Sequence, residues 1–411
     1  MYINRALESV VRRYSSHFKV VAVTGPRQAG KTTMLRHLAD EDAAAGRPRR
    51  YVSLDDTSLR MAARSEPALF LERYSPPVLI DEIQKAPELV EHIKLAVDAS
   101  DETGAYWITG SQPLHLMKEV SESLAGRVGI LELGGLSLSE VSGVEGEPFA
   151  PGEEYFSRRV RTARRLTSPE VWERIFAGSL PGIACLPDDV RAGAWESYLD
   201  TYVMRDIRDL AQVGDELRFR RFLSAAAALT ARPVVFAELA RLADVDEKTA
   251  KSWLSILVST HLVKVVAPFA DNRTKRLSKR PVMHFCDTGL AAHLAGWSDA
   301  GTLELGAMAG QLFESWVFSE IAKSWTNAGI RPALHFFRTN DKHEIDLLVE
   351  RDGKLHPVEV KKSASPTPAD ARHFSALDPT GLEVGVGAVV CQCADAFPLS
   401  EGAWAFPAWA I

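Results

Sequence analysis

Short apolar runs alternate with helical patterns through the first third of the chain. The apolar runs cover residues 19–25, 49–56, 76–82, 105–111 and 126–133. They are apolar almost throughout, as are strands that helices cover on both faces. We therefore expect an α/β domain over residues 1–142, in which helices pack on both faces of a parallel sheet.

The pattern changes after this domain. Residues 143–154 (GVEGEPFAPGEE) are rich in Gly, Pro and Glu and indicate a domain boundary. Residues 155–300 are predicted to be mainly helical, and residues 234–269 read as helix, short turn, helix and strand. That order is typical of a winged helix-turn-helix. Residues 301–411 read as a helix, then strands, then another helix, and form the third predicted domain.

Composition narrows the class of protein only a little. The chain has 411 residues, 46% of them hydrophobic, and a net charge of -6. These values are ordinary for a soluble globular protein and disfavour a wholly basic nucleic-acid binder, while a local basic face stays open. The four cysteines form no CxxC pair. Because neither a signal peptide nor a membrane-spanning run is apparent, we expect a cytoplasmic protein without membrane partners.

A phosphate-binding motif joins the first predicted strand to a helix. Residues 25–32 read GPRQAGKT and match the pattern GxxxxGK[ST] in its strand–loop–helix context. Backbone N–H groups of such a loop wrap around phosphates, Lys31 would neutralise the β- and γ-phosphates, and Thr32 would bind Mg²⁺. The predicted nucleotide-binding residues are Gly25, Pro26, Arg27, Gln28, Ala29, Gly30, Lys31, Thr32 and Thr33.

Polar residues end two further strands of this domain. The run PPVLIDEIQ ends in Asp81, which would hold Mg²⁺ through water, and Glu82, which would orient the attacking water as a base. The run WITGSQ contributes Thr109, Ser111 and Gln112, whose side chains would reach between the acids and the γ-phosphate. The sequence therefore predicts a site for nucleotide and Mg²⁺ at one edge of the sheet.

An arginine precedes the last predicted strand of the domain. Arg127 closes the motif SLAGR. An arginine at a subunit edge can stabilise the charge that develops in a neighbouring site, and an ordinary surface arginine is the alternative.

These motifs together resemble a family. GPRQAGKTT, LIDEIQ, TGSQ and SLAGR, followed by GSLPG and YLDTYVMRDI, are similar to a large family of bacterial and archaeal AAA-superfamily ATPases, over nearly the whole chain. The resemblance implies that Asp81 and Glu82 are the Walker B pair, that Ser111 and Gln112 belong to the sensor-1 region, and that Arg127 is the arginine finger. It also implies ATP as the nucleotide and assembly into a homo-oligomeric ring, often a hexamer.

The predicted helix-turn-helix contains several basic residues. Lys248 and Lys251 lie near the start of its second helix, and Arg273, Lys275 and Arg276 lie in the proposed wing. A recognition helix in the major groove with a basic wing on phosphates would bind DNA. A packing or protein-interaction module is the alternative.

The last domain contains acids in a pattern that binds metals in other proteins. Glu314 lies on an amphipathic helix, Asp346 on a predicted strand, and Glu359 with Lys361 on the next strand. Side chains two residues apart share one face of a strand, so Glu359 and Lys361 would point together and Asp346 could share a divalent ion with Glu359. The layout resembles the PD-(D/E)xK fold of restriction-endonuclease-like proteins, whose members either cleave DNA or only hold it.

Three functions follow as hypotheses. The first is an ATP-hydrolysing, Mg²⁺-dependent AAA-type enzyme that binds or remodels DNA, including branched DNA. The second is a regulatory or defence switch, in which the ATPase senses a signal and the C-terminal region docks a protein. The third is a metal-dependent DNA nuclease gated by ATP.

Overall fold

The chain folds into two compact units. The computed structural model describes residues 2–110, 123–204, 215–269, 280–339 and 343–411. The first unit contains residues 1–135 and 326–330, and the second contains residues 136–325 and 331–411. The second domain expected from the sequence falls within the second unit, and so does the third, apart from residues 326–330. The boundaries of both domains stay a prediction.

The first unit is built around a parallel sheet of five described strands. These are β1 (Val20–Thr24), β2 (Arg50–Ser53), β3 (Val78–Asp81), β4 (Tyr106–Gly110) and β5 (Val128–Glu132). Their order across the sheet is β2-β3-β4-β1-β5, and all neighbours are parallel. The predicted α/β class with a parallel sheet is therefore confirmed for this unit.

Helices cover both faces of this sheet. They are α1 (Leu7–Ser15), α2 (Lys31–Ala44), α3 (Thr57–Ser65), α4 (Pro67–Arg73) and α5 (Glu88–Asp98). Two apolar clusters form, one on each side of the strands, because β1, β3 and β4 are apolar at nearly every position. All five strands run the same way, so their carboxyl ends meet at one edge of the sheet.

A segment distant in sequence completes the first unit. Residues 326–330 pack against α1, where the hydroxyl of Tyr14 donates a hydrogen bond to the carbonyl oxygen of Gly329 at 3.3 Å. Gly329 has φ of +77°, and a Cβ atom there would lie 2.5 Å from Cγ1 of Val10. Only glycine therefore fits this close approach without a shift of its neighbours.

The second unit begins with a helical region. Its helices are α6 (Leu138–Ser142), α7 (Glu153–Thr162), α8 (Ser168–Ala177), α9 (Pro181–Ala184) and α10 (Asp188–Tyr198). The predicted boundary segment 143–154 is packed rather than open, since Phe149 is fully buried and its carbonyl oxygen accepts a hydrogen bond from Nε1 of Trp325 at 3.1 Å. The unit boundary at residue 135 thus precedes the Gly- and Pro-rich stretch.

Three helices and three short strands follow. They are α11 (Glu216–Ala228), β6 (Arg232–Pro233), α12 (Phe236–Ala243), α13 (Glu247–Ser259), β7 (Val263–Val266) and β8 (Val282–Phe285). The strands pair antiparallel in the order β6-β8-β7. Trp253 of α13 packs edge-on against Phe219 and Phe222 of α11, which fixes α13 on the apolar core and leaves its opposite face to solvent.

A second group of helices leads into the C-terminal sheet. These helices are α14 (Thr288–Leu294), α15 (Ala300–Leu305) and α16 (Ala309–Thr326). The strands are β9 (Leu334–Arg338), β10 (Glu344–Arg351), β11 (Lys354–Val360), β12 (Glu383–Val384), β13 (Gly387–Cys391), β14 (Phe397–Ser400) and β15 (Ala403–Pro407). The described strands lie in the order β14-β15-β13-β11-β10-β9, with β12 beside β11. β9, β10 and β11 are antiparallel neighbours, whereas β11, β13 and β15 are parallel.

One predicted helix of this region is wrong. After β11 the chain forms two 3-10 helices, Pro368–Ala371 and Phe374–Thr380, instead of an α-helix. Proline lacks the N–H group that an interior helix position must donate, and it disfavours the helical conformation of the residue before it. The prolines at positions 366, 368 and 379 therefore allow only short helical turns.

Candidate nucleotide site and acidic cluster

The phosphate-binding loop connects the end of β1 to the start of α2. Gly25 and Gly30 both have positive φ angles, of 140° and 90°. A Cβ atom on Gly25 would lie 2.0 Å from the carbonyl oxygen of Leu133, so glycine is required there. The loop can therefore turn its backbone N–H groups inward as the motif predicts.

Lys31 lies inside the loop. Its side chain is buried, and Nζ donates hydrogen bonds to the carbonyl oxygens of Gly25 at 3.0 Å and Pro26 at 2.8 Å. The ammonium group is thus held where the N-terminus of α2 and the loop converge. This is the place where an anionic ligand would meet both the lysine and the helix N-terminus.

Asp81, at the end of β3, accepts hydrogen bonds from side chains on α2, β2 and β4. Its Oδ1 accepts from the hydroxyl of Thr32 at 2.6 Å and from the hydroxyl of Thr109, and its Oδ2 accepts from the hydroxyl of Tyr51 at 3.2 Å. Burial and the negative charge of Asp81 raise the pKa of Tyr51. Hydroxyl and carboxylate oxygens are the ligands that Mg²⁺ prefers, so the residues present fit this ion.

Glu82 follows Asp81 at the same sheet edge. It has a left-handed backbone conformation, with φ of 58°, which turns the chain sharply after β3. Its backbone N–H donates to the hydroxyl of Thr109 at 3.1 Å, and its carboxylate accepts from the amide of Gln84. Thr109 therefore positions both acids.

Two residues near the phosphate-binding loop were not predicted from the sequence, and two predicted residues lie outside the described part of the chain. Tyr51 and Arg5 were missed, because a tyrosine in a strand and an arginine before a helix carry no local signal. Of the predicted sensor residues, Ser111 and Gln112 lie outside the described residues.

Arg127 lies far from the phosphate-binding loop of its own unit. Its carbonyl oxygen accepts a hydrogen bond from the N–H of Val20, the first residue of β1, whereas the loop follows the last residue of β1. The length of β1, about 16 Å, separates the two edges of the sheet. The guanidinium group forms a two-point ion pair with Asp98. Arg127 cannot reach the phosphates in its own site.

The predicted acids of the second unit come together across the hairpin of β10 and β11. A two-residue turn at Asp352 and Gly353, both with positive φ, joins the strands. Leu347 pairs with Val358, so the next position outward brings Asp346 opposite Glu359. The backbone N–H of Val360 donates to Oδ2 of Asp346 at 2.8 Å, and Nζ of Lys361 donates to Oε1 of Glu359 at 2.6 Å.

One oxygen of this cluster has no hydrogen-bond partner among the described residues. Oε2 of Glu359 accepts no hydrogen bond from the described residues. It is also buried, since the side chain is only 9% exposed. Leaving a buried acceptor unpaired costs about 1–3 kcal/mol, and more for a charged group. A cation or a proton on this carboxyl group would remove that cost.

Burial and neighbouring negative charges raise the pKa values of these carboxyl groups. Burial and then the charge of Asp346 raise the pKa of Glu359 to about 7, and burial raises the pKa of Asp346 to about 6. Glu314 on α16 has its pKa raised well above the usual value by burial, Asp346 and Glu359. Glu314 therefore lies close enough to these acids for their charges to act on it. Burial acts to lower the pKa of Lys361, but Glu359 raises it overall.

The acidic side chains do not surround a metal position among the described residues. In the part of the chain that the structure describes, no three Asp, Glu, His or Cys side chains are arranged so that they enclose a metal ion. Lys362, next to the cluster in sequence, turns away and donates to the carbonyl oxygen of Glu304 at 3.2 Å. The roles of Glu314, Asp346, Glu359 and Lys361 in binding metal stay a prediction.

Two of the five predicted DNA-contacting residues lie among the described residues. Lys248 and Lys251 are exposed on the first turns of α13. Arg273, Lys275 and Arg276 of the predicted wing lie outside the described residues.

Family models divide the chain into three matched regions. Residues 17–142 match an AAA domain, residues 168–301 a domain of unknown function (DUF8612), and residues 309–411 another domain of unknown function (DUF4143). The AAA domain covers the sheet, the phosphate-binding loop and the acids at the strand ends. The first unit thus contains an AAA domain with a P-loop, in agreement with the family resemblance found in the sequence.

Relatives extend over almost the whole chain. An uncharacterized protein of Mycobacterium tuberculosis, Rv2008c, is 30% identical over 401 residues, which is 97% of this chain and 82% of that protein. The uncharacterized protein Mb2031c of Mycobacterium bovis matches to the same extent. This chain belongs to the family of these mycobacterial proteins.

Similar solved structures include two nucleotide-binding proteins. The Walker-type ATPase PABY2304 of Pyrococcus abyssi aligns with a TM-score of 0.44 and 16% identity, covering 71% of this chain and 96% of its own. DnaA from Aquifex aeolicus, bound to AMPPCP, aligns with a TM-score of 0.30 and 12% identity, covering 61% of this chain and 85% of its own. These likenesses are too weak to define a function. No helix among the described residues is long and apolar enough to cross a membrane.

Proposed function

We propose that this protein hydrolyses ATP with Mg²⁺ and couples hydrolysis to the binding or remodelling of DNA. The contact between the hydroxyl of Thr32 and Oδ1 of Asp81, at 2.6 Å, carries the first part. It joins the helix after the phosphate-binding loop to the acid at the end of β3. Nucleotide sites of this class hold Mg²⁺ between such a hydroxyl and such an acid.

The residues of the site divide the work. Backbone N–H groups of residues 25–32 and Nζ of Lys31 would bind the phosphates. Thr32 and Asp81 would hold Mg²⁺, which neutralises negative charge on the phosphates. Glu82 would accept the proton of the water that attacks the γ-phosphorus, with ADP and phosphate as products. Thr109, which contacts both acids, would keep them in place.

The arrangement of the strands bears on assembly. Because Arg127 lies at the sheet edge opposite its own phosphate-binding loop, it would act only in a neighbouring subunit. We propose a homo-oligomer in which Arg127 of one subunit completes the site of the next, as in a ring. Six subunits are the size that the family resemblance implies.

DNA is the proposed partner of the second unit. The succession α11, β6, α12, α13, β7 and β8 has the order of a winged helix, and it supports the prediction made from residues 234–269. Lys248 and Lys251 are exposed on α13, as contacts to DNA phosphates require. A protein-docking role for this unit, within a regulatory or defence switch, remains the competing proposal.

The acidic cluster supports a second activity, metal-dependent cleavage of DNA. The observation that favours it is the buried Oε2 of Glu359, opposite Asp346, which has no partner in the described part of the chain. Asp346 and Glu359 would hold a divalent cation with help from Glu314, and Lys361 would stabilise developing negative charge. The mixed sheet with α16 before it is consistent with a PD-(D/E)xK fold.

One set of gels separates these functions. Purified protein would be incubated with end-labelled linear, forked and four-way DNA and Mg²⁺, with and without ATP, and run on native and denaturing gels. ATP-dependent strand separation or a shifted band that Lys31→Ala abolishes supports the remodelling function. Shortened strands that Asp346→Ala abolishes support cleavage.

Lys94→Ala, which changes a partly exposed lysine of α5, serves as the matched control for Lys31→Ala. ATP hydrolysis that survives Lys31→Ala would refute the proposed nucleotide site. If no DNA binds in any state, both DNA functions fail and the docking switch becomes the better proposal.

A further inference from the structure

Arg5 contacts the outside of the phosphate-binding loop. The residue precedes α1 and is only 5% exposed. Its Nη1 donates a hydrogen bond of 2.6 Å to the carbonyl oxygen of Ala29. Ala29 is the residue before Gly30, where the loop passes into α2. A charge-assisted hydrogen bond from a buried guanidinium group therefore holds the last turn of the loop.

The same guanidinium group also holds the end of the first unit. Nη2 of Arg5 donates to the carbonyl oxygens of Gly134 at 2.9 Å and Gly135 at 3.1 Å. Gly135 is the last residue of the first unit before the chain enters the second one. Arg5 thus bridges two backbone segments that are about a hundred residues apart in sequence, and both lie within the first unit.

A second contact ties the beginning of the loop to the same segment. Gly25 lies so close to Leu133 that a Cβ atom would reach 2.0 Å from the carbonyl oxygen of Leu133. The N–H of Leu133 also donates to the carbonyl oxygen of Thr24 at 2.8 Å. Both ends of the phosphate-binding loop therefore contact residues 133–135, one directly and one through Arg5.

The backbone of Arg5 is itself fixed. Its N–H donates to Oε1 of Glu8 at 2.7 Å, and its carbonyl oxygen accepts from the N–H of Glu8 at 3.0 Å. The hydroxyl of Tyr2 donates to the same Oε1. Because the first turn of α1 holds the backbone, the side chain loses little further freedom when it forms its hydrogen bonds.

The geometry assigns Arg5 as a positioning residue that links nucleotide binding in the phosphate-binding loop to residues 133–135. In a planar trans peptide the C=O and N–H bonds point in opposite directions. Arg5 on the carbonyl oxygen of Ala29 therefore turns the N–H of Gly30 away from Arg5, toward the side on which phosphates bind. A phosphate that pulls on this N–H also strengthens the bond to Arg5, since hydrogen bonds in a chain polarise one another.

The consequence reaches the exit of the ATPase unit. When the loop adjusts to a phosphate, Gly25 carries the adjustment to Leu133, and Arg5 carries it to Gly134 and Gly135. Leu136, the first residue of the second unit, follows directly in the chain. This inference rests on the proposed nucleotide site. It adds a chain of contacts through which nucleotide binding changes the backbone at the connection between the units.

The test combines kinetics with hydrogen exchange. ATP hydrolysis and binding of a non-hydrolysable ATP analogue would be measured for the wild type, Arg5→Ala, Arg5→Lys and Arg12→Ala. Amide exchange of residues 131–135 would be followed with and without saturating analogue. Arg12 is the matched control, because it lies on α1 but pairs with Glu41 and Asp42.

We expect the analogue to slow exchange at residues 131–135 in the wild type and in Arg12→Ala. Arg5→Ala should raise KM for ATP about tenfold to hundredfold, as for the loss of charge-assisted hydrogen bonds. Its exchange at residues 131–135 should no longer respond to saturating analogue. Arg5→Lys should recover part of both effects, since an ammonium group can reach one carbonyl oxygen but cannot bridge as a guanidinium group does.

The contrary outcomes are distinct. If the wild type binds no nucleotide, the proposed function fails before Arg5 is considered. If Arg5→Ala keeps the wild-type KM and the wild-type exchange response, the inference about Arg5 is wrong. If Arg5→Ala does not fold, Arg5→Lys decides: a full wild-type response in KM and exchange together would leave no bridging role for the guanidinium group.

Discussion

The hydroxyl of Thr32 lies 2.6 Å from Oδ1 of Asp81, although 49 positions separate the two residues in sequence. The contact forms because β1 and β3 run parallel and end at the same edge of the sheet. It brings together two oxygen ligands of the kind that Mg²⁺ binds.

Thr32→Val tests whether this hydroxyl serves the metal. Valine keeps the shape of threonine but removes the oxygen, so Mg²⁺ would lose one ligand. We expect ATP hydrolysis to fall by at least about a hundredfold. Steady-state phosphate release at several Mg²⁺ concentrations measures this. Thr162→Val, at an exposed position of α7, is the control, and an unchanged rate in Thr32→Val would remove Thr32 from the site.

Arg127→Ala tests action between subunits. The variant should bind ATP normally but hydrolyse it about a thousandfold more slowly, the range of arginine fingers. Lys31→Ala subunits should be inactive themselves, but they retain Arg127. Mixing the two variants should therefore restore part of the activity, in a manner that depends on protein concentration.

The control for this mixing experiment is Arg47→Ala, which changes an exposed arginine of the same unit. Full activity of Arg127→Ala alone would identify Arg127 as an ordinary surface residue paired with Asp98. Absence of complementation, together with low activity of Arg127→Ala, would show that its loss acts within one subunit.

The Lys248→Ala/Lys251→Ala double variant tests the proposed DNA contact. Each lysine that neutralises a phosphate adds roughly 0.9 to the slope of log K against log salt concentration. The double variant should weaken binding to all sequences alike and reduce that slope by about 2. Fluorescence anisotropy with a short duplex at several salt concentrations measures both. Lys354→Ala, on β11, is the control, and an unchanged slope would exclude these lysines from the interface.

The sequence was sufficient where function depends on local spacing. Residues 25–32 predict the loop because a glycine-rich turn, a lysine and a hydroxyl residue must follow one another directly. The β10–β11 hairpin is also readable, since a side-chain period of two and the turn at Asp352 and Gly353 bring Asp346 opposite Glu359.

Other features depend on contacts that no local pattern records. Arg5 is followed by an ordinary amphipathic helix, and only the folded sheet brings Ala29 and Gly134 to its guanidinium group. Residues 326–330 belong to the first unit because Gly329 packs against α1. From their position in the sequence they would be assigned to the last domain. Both cases join residues separated by tens to hundreds of positions.

The acidic cluster makes stability depend on pH in a defined direction. Glu359 has a pKa of about 7 and Asp346 a pKa of about 6 in the folded chain, both above the usual range of about 4 for carboxyl groups in unfolded chains. Between those limits the folded state holds protons that the unfolded state has released. The free energy of unfolding therefore falls as pH rises from about 4 to about 7.

Glu359→Gln should remove the part of this dependence that Glu359 contributes, and Asp346 should retain its own. A neutral amide avoids the buried charge, so at pH 8 without divalent cations the variant should be more stable than the wild type, by a free energy on the order of 3 kcal/mol. Mn²⁺ or Mg²⁺ should stabilise the wild type increasingly as pH rises, because the carboxylates must be ionised to bind, and should leave Glu359→Gln nearly unaffected. Thermal unfolding at pH 5 to 8, with and without cation, measures both effects, and Asp378→Asn at an exposed position is the control. Equal cation stabilisation of wild type and Glu359→Gln would mean that this carboxyl group binds no metal.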